Sequence, residues 1–501
     1  MTVMLKRNCL IGFLFFFTLY NVHAQWTGLK EKPSSYKEVK YGSITPKDRQ
    51  DDAMRRFRAY GLGQFIHWGI YSIAGNEWEG VSARGGAAAP EWIRSWRGPS
   101  APENWTEIYD NLYKEFDPVD FDASKWAKQA KEMGVKYLIF TTKHHDGFAM
   151  WPTKYSDYNI TNTPFKRDIV KEVVDAYHAV GIDVYLYFSV LEWNNPNYFY
   201  KAPETKEEEE RFNKFLNYTK NQLFELLDNY PEVKGLWFDG TWDEAWKSAY
   251  KFTYNLEIEL REKKPGLIIG SRFRNDEYGS RHFDSNGNLL GDYEQGWERK
   301  LPEDISWLAG NDWEGIMTLP PNGWGFMKDW SGLYVKTADD ILEMLMKSVS
   351  MNGNFVVNFG PDGLGNMHPG EQALAKEVGD WMAVNKEAVY GVTDCSYPKT
   401  PYGYYTQKEN TVYLSVFNRP VNNLIRVKVA KDSKLAPAHA TILGEGRELP
   451  VKHADIGLDL DRFTYFDFRL PSSFHPKRAF VIKMKLIDST SKAERLMDAK
   501  M

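Results

Sequence analysis

The segment Gly235-Leu-Trp-Phe-Asp-Gly-Thr-Trp-Asp243 is a short apolar run that stops at an acid, Asp239, and passes at once into glycine and aromatics. A carboxylate placed where a strand ends sits at a mouth and not in a core, and the flanking Trp237 and Trp242 suit the faces of a sugar. Retaining glycoside hydrolysis needs two carboxyl groups about 5 Å apart, one to attack the anomeric carbon and one to protonate the leaving oxygen. Asp239 is the natural nucleophile. For the proton donor the sequence offers Glu314, Glu298 and Glu294, ranked in that order. Glu314 stands between Trp313 and Gly315, where packing against the indole would raise its pKa and keep it protonated. Glu294 and Glu298 lie in Asp292-Tyr-Glu-Gln-Gly-Trp-Glu-Arg299, where the arginine favours an ionised acid. Position alone does not choose among the three.

Histidines form the second group. His67 follows Gln64-Phe65-Ile66, and His144-His145 follow Leu138-Ile-Phe and Lys143. Three histidines at neighbouring strand ends could bind a metal. Adjacent residues on a strand point to opposite faces, however, so hydrogen bonding to substrate hydroxyls is the favoured role, with no metal and no cofactor expected.

The elements that must position these groups alternate along the chain. Strands are predicted at Gly63–Trp68, Tyr137–Thr142, Val184–Val190, Gly235–Asp239, Leu267–Arg272, Gly291–Trp297, Glu314–Leu319 and Phe355–Gly360. Helical patterns fall at Ala123–Met133, Arg167–Val180, Thr205–Asp228, Glu244–Lys263 and Ala338–Met351, several stopping at glycine. Apolar strands alternating with helices make a parallel sheet covered by helices, and a count near eight favours an α/β fold of the (β/α)8 TIM-like barrel type. After Val389-Tyr-Gly391 the texture changes to short β-type runs without helices, the pattern of a C-terminal antiparallel β-sandwich over 392–487, followed by a charged tail over 488–501.

The chain opens with Lys6-Arg7, an apolar run from Leu10 to Tyr20 and the small-x-small triplet Val22-His-Ala24. This is the pattern of a signal peptide over 1–24, and it predicts a secreted or periplasmic enzyme with no membrane anchor after cleavage. The catalytic barrel would then occupy 25–391. A formal net charge of −5 argues against nucleic acid or an anionic surface as partner. Of the two cysteines only Cys395 lies beyond the leader, which leaves neither an intramolecular disulfide nor a zinc cluster.

Taken together, these residues carry a resemblance. Phe65-Ile-His-Trp-Gly69, Lys143-His-His-Asp-Gly-Phe148 and Trp237-Phe-Asp-Gly240 resemble successive strand-end motifs of the family 29 glycoside hydrolases, the α-L-fucosidases. So do the Trp151–Tyr158 and Trp313–Thr318 segments, Trp324-Gly-Phe326, and the last barrel strand in Gly353–Gly363. The resemblance implies a retaining exo-hydrolase that removes α-linked L-fucose from oligosaccharides or glycoconjugates. Asp239 would be its nucleophile with Tyr187 beside it, and His67, His144, His145, Trp237 and Arg272 would surround the sugar. The family's Glu-Trp motif is met by Glu77-Trp78 or Glu91-Trp92, and Glu91-Trp92 is preferred. Trp324 would close on the fucose methyl group. Two alternatives stand beside this reading: a related hydrolase of an L-galactose-type sugar, and a non-catalytic carbohydrate-binding protein.

Overall fold

The computed structural model describes residues 49–488 apart from 309 and 458, so the expected leader over 1–24 and all of the charged tail except Asp488 lie outside the described residues. Eight parallel strands form one curled sheet: β1 (Leu62–Ile66), β2 (Tyr137–Lys143), β3 (Asp183–Ser189), β4 (Gly235–Asp239), β5 (Ile268–Ile269), β6 (Glu294–Glu298), β7 (Trp313–Met317) and β8 (Gly353–Phe359). The ladder runs β5-β4-β3-β2-β1-β8-β7-β6. Its two edges are joined by backbone bonds, Asp292 N–H to Ile269 C=O at 2.7 Å and Ser271 N–H to Tyr293 C=O at 3.0 Å. A side chain reinforces that seam. The Asp292 carboxylate accepts from the Ile269 N–H and from buried Arg261, both at 2.9 Å.

The helices that cover the sheet are α1 (Asp52–Ala59), α2 (Ala123–Met133), α3 (Ile169–Ala179), α4 (Lys206–Asn229), α5 (Tyr250–Lys263), α6 (Ala338–Val349) and α7 (Pro369–Asn385). Their boundaries follow local chemistry. Asp122 caps α2 through the Ser124 and Lys125 N–H groups, and Gly134 ends it in the left-handed region. Thr205 and Glu208 make a reciprocal capping box at the start of α4. The helix predicted over Glu244–Lys263 is two, Glu244–Ser248 and α5, because Ala249 leaves helical geometry at ψ 19°.

Alternation along each strand separates two cores. On β4, Leu236 and Phe238 pack outward against the helices, while Trp237 turns into the barrel with Phe65, Tyr137, Tyr185, Tyr187, Tyr293 and Ile316. Phe57 of α1 belongs to the same interior cluster, its ring 4.4 Å from that of Tyr293 and tilted by 35°. A third core joins a five-stranded and a three-stranded antiparallel sheet drawn from Gly403–Asp488. These sheets are the sandwich, built from eight strands among the described residues.

Candidate active site

Asp239 is the last residue of β4 and shares the inward face of Trp237. Beyond it Gly240 turns at φ 79°, where any Cβ would come within 2.5 Å of Leu191, so the chain leaves the strand at a point that only glycine fits. The β3–β4 register pairs Ser189 with Asp239 and Tyr187 with Trp237. Tyr187 Oη therefore reaches up one level and donates to Asp239 Oδ2 at 3.0 Å. Arg272 Nη1 contacts the other oxygen, Oδ1, at 3.3 Å, and the same nitrogen also pairs with Glu298 Oε1. Burial opposes the Arg272 cation, but Glu298 and Asp239 outweigh it and hold its pKa above the ordinary value.

Around this pair opens a cavity of about 350 Å³ lined by His67, Glu91, Trp92, His144, His145, Trp237, Asp239, Arg272, Glu298 and Trp324. Tyr187 lies just beneath, stacked at 5.5 Å on Trp237 and at 5.6 Å on His144. Ala88 and Ala89, from the run Gly85-Gly-Ala-Ala-Ala89 beyond β1, form part of the wall together with Trp242, Arg299 and Asn322.

The histidines are neutral and oriented. Asn358 Nδ2 donates to the Trp324 carbonyl at 2.7 Å, which fixes its amide so that Oδ1 accepts from His67 Nδ1 at 2.6 Å. Ser189 Oγ donates to the Leu191 carbonyl at 2.7 Å and accepts from His145 Nδ1 at 2.6 Å. Both rings thus keep their protons on Nδ1 and leave Nε2 as an acceptor; His145 Nε2 lies 3.6 Å from Asp239 Oδ2. Burial drives the pKa of His67 and of His145 down to about 3, so neither charges at neutral pH. Among the described residues no group of three or more His, Cys, Asp or Glu is placed to hold a metal ion.

Glu91 stands in the short helical turn Pro90–Ser95 and accepts from the Gly325 N–H at 2.9 Å. Burial raises its pKa to about 7. Trp92 meets His145 edge-on at 5.2 Å and faces Trp242 at 6.3 Å with 19° between the planes. The alternative motif is elsewhere: Glu77-Trp78 forms a hairpin with Val81-Ser82, where Glu77 pairs with Lys328 and Trp78 packs on Trp105.

The three candidate proton donors stand at different depths in the barrel. Glu314, ranked first, is the second residue of β7, and strand β6 aligns Glu294 with Trp313 at this same low level. Fully buried inside the barrel, it accepts from Tyr137 Oη at 2.6 Å and from Trp237 Nε1 at 2.8 Å. Its pKa is indeed pushed up to about 7 by burial, yet the carboxyl lies beneath the Trp237 indole and does not line the cavity. Glu294 accepts from Ser271 Oγ at 3.1 Å and from the Gly296 N–H at 2.7 Å. Burial works against its charge, but His282 at 3.1 Å and these donors hold its pKa below the ordinary glutamate value. Glu298 ends β6 at the mouth, and of the three it alone lines the cavity beside Asp239.

Sequence reasoning passed over Ser189 and Asn358 as orienting groups; their one signal is a polar residue after an apolar strand run, Leu186-Tyr-Phe and Phe355-Val-Val. It also passed over Asn322, which carries no motif signal and reaches the wall from a loop after β7.

Paired carboxylates, neutral acceptor histidines and indoles around a sugar-sized cavity at the C-terminal face of a parallel barrel define a glycoside hydrolase of the barrel class. Comparison with known proteins carries this further. The alpha-L-fucosidase family model matches residues 29–387, and the chain belongs to that family, glycoside hydrolase family 29. The human plasma alpha-L-fucosidase is 29% identical over 413 residues, covering 77% of this chain and 81% of that protein. A Bacteroides thetaiotaomicron alpha-L-fucosidase is 43% identical with a TM-score of 0.82, covering 91% of this chain and 100% of that one. That structure holds a covalent intermediate trapped with 2-fluoro-fucosyl fluoride in a variant with one glutamate changed to glutamine. Alpha-L-fucosidase isoenzyme 1 from Paenibacillus thiaminolyticus is 28% identical with a TM-score of 0.71, covering 89% of this chain and 100% of that one.

Proposed function

We propose that this α-L-fucosidase is a retaining exo-hydrolase of terminal α-linked L-fucose, with Asp239 as nucleophile and Glu298 as acid/base. The observation that carries the reading is the single Arg272 nitrogen touching both carboxylates. Two groups that share one atom have the close spacing of retaining enzymes, about 5 Å, and leave no room for the wider gap in which inverting enzymes place a water. The covalent intermediate trapped in the Bacteroides enzyme supports the same course.

In the first step an Asp239 oxygen bonds to C1 of fucose, the bond from C1 to the leaving oxygen breaks, and Glu298 passes its proton to that oxygen. In the second, Glu298 takes a proton from water, the water oxygen bonds to C1, and the Asp239 carboxylate departs. Tyr187 and Arg272 hold the two Asp239 oxygens in place for the attack. The Nε2 atoms of His67 and His145 accept from sugar hydroxyls, and Trp324, whose ring lies 5.1 Å from His67, covers the C5 methyl group. The leader-like sequence over 1–24 supports work outside the cytoplasm. Proton NMR of the first-formed product from an aryl α-L-fucoside tests the mechanism. α-L-Fucose must appear before mutarotation; β-L-fucose as first product would overturn retention.

A further inference from the structure

We propose that Arg299 and Asn322 form the leaving-group side of this site and select a leaving sugar that carries an anion, a carboxylate or a sulfate ester, beside the glycosidic oxygen. The inference rests on the fucosidase reading and on Glu298 as the donor. A leaving group departs past the acid that protonates it, so the residues bordering Glu298 on the open side are those it meets. Arg299 follows Glu298 directly, and Arg299, Asn322 and both catalytic carboxylates line one cavity.

The two side chains are held there on purpose-built backbone. Arg299 sits at φ 59° and Asn322 at φ 54°, the left-handed region that an arginine rarely occupies. The Arg299 N–H donates to the Ile316 carbonyl at 2.8 Å, fixing the turn, and its Nη1 donates to Asn322 Oδ1. A neutral amide is thus the side-chain partner of an exposed guanidinium. Among the described residues no carboxylate stands within ion-pair distance of Arg299, whereas Arg272 beside it is shared by two.

Charge counting gives the sign. When Glu298 carries the proton it must donate, Asp239 and Glu294 stand against Arg272 and Arg281, and the Arg299 charge is left over. Glu91, the buried carboxyl that feels Arg299, is itself pushed up to about 7 by burial and offsets it only in part. The mouth therefore favours an anion, and a guanidinium with free donors matches carboxylate or sulfate oxygens.

The test is kcat/KM on a matched set of α-L-fucosyl disaccharides of one linkage: a neutral acceptor sugar, its uronic acid and its sulfate ester. At low salt the enzyme is expected to prefer the acidic substrates by about tenfold. Arg299→Asn, which tolerates the left-handed backbone, should abolish that preference, and Arg299→Lys should retain much of it. Melting curves of both variants confirm folding. Preference for both acidic arms assigns charge as the signal; preference for one arm alone assigns that anion. Equal rates on neutral and acidic substrates, or a preference that survives Arg299→Asn, overturn this inference alone. Failure to cleave any fucoside overturns the fucosidase reading and this inference with it.

Discussion

Arg272 Nη1 lies 3.3 Å from Asp239 Oδ1 and is paired through the same atom with Glu298. One cation therefore touches both acids, the proposed nucleophile and the proposed donor, and holds them at short range. It also lies over the Trp237 ring at 5.1 Å, so the floor of the cavity sets its height. Replacing Arg272 with methionine removes the guanidinium bridge and keeps an unbranched apolar stem. We expect a loss in kcat of about 10²-fold with an intact fold, in line with the removal of one preorganised charge from an active site. Steady-state kinetics alongside circular dichroism provides the check, and a kcat within a few fold of wild type would speak against the bridge.

The two candidate acids are separable by leaving group. Glu298→Ala should slow poor leaving groups by about 10²–10⁴-fold while sparing activated aryl fucosides in their first step. Glu314→Gln should show no such dependence, because that carboxyl lies below the Trp237 indole. A plot of rate against leaving-group pKa that steepens for Glu314→Gln and not for Glu298→Ala would reverse the assignment.

Glu314 should register instead in stability. Its pKa is held up to about 7 by burial, against an ordinary glutamate value of 4.5. Between those values the folded protein keeps a proton that the unfolded chain has released, so stability falls as pH rises through that window. Glu91 and Glu371, raised to about 7 by burial as well, act in the same direction. Glu314→Gln removes one of the three, and its melting temperature should fall less steeply than wild type between about pH 5 and pH 8. Parallel curves for the two proteins would contradict a protonated Glu314.

Sugar binding has its own signature. His67 and His145 titrate near 3 and stay neutral across the working range, leaving Glu91 as the cavity group that changes charge near pH 7. L-Fucose affinity, measured by calorimetry, should rise with pH through a single inflection near 7 as Glu91 becomes the stronger acceptor. Glu91→Gln should flatten that profile. An inflection that persists in the variant would point to a charged histidine.

Much of this was legible in the chain because strand ends carry local marks. Asp239 and His67 each follow an apolar run directly, His144-His145 come three residues after one, and the fold places all of them at the mouth. Glu314 drew attention through its neighbours, an indole and a glycine, yet the predicted strand Glu314–Leu319 begins with it, and β7 likewise holds it second. Had the rule applied to Asp239, that chemistry sits where strands finish, been applied to β6, Glu298 would have ranked above Glu314. Strand β5 shrinks to Ile268-Ile269 against a predicted six residues, since Gly270 and Ser271 turn toward the seam and the Asp292 side chain replaces ladder bonds. Helices α1 and α7 escaped notice; α7 is buried on several sides through Leu374, Val378, Trp381 and Met382, which blurs the amphipathic pattern.

The nucleophile is the claim on which the rest hangs, and covalent labelling reaches it most directly. The protein would be incubated with 2-fluoro-fucosyl fluoride, digested, and the modified peptide sequenced by mass spectrometry. A fucosyl adduct on the Asp239 carboxylate is the expected result. An adduct on any other residue, or turnover of fucosides by Asp239→Ala at the wild-type rate, would contradict it.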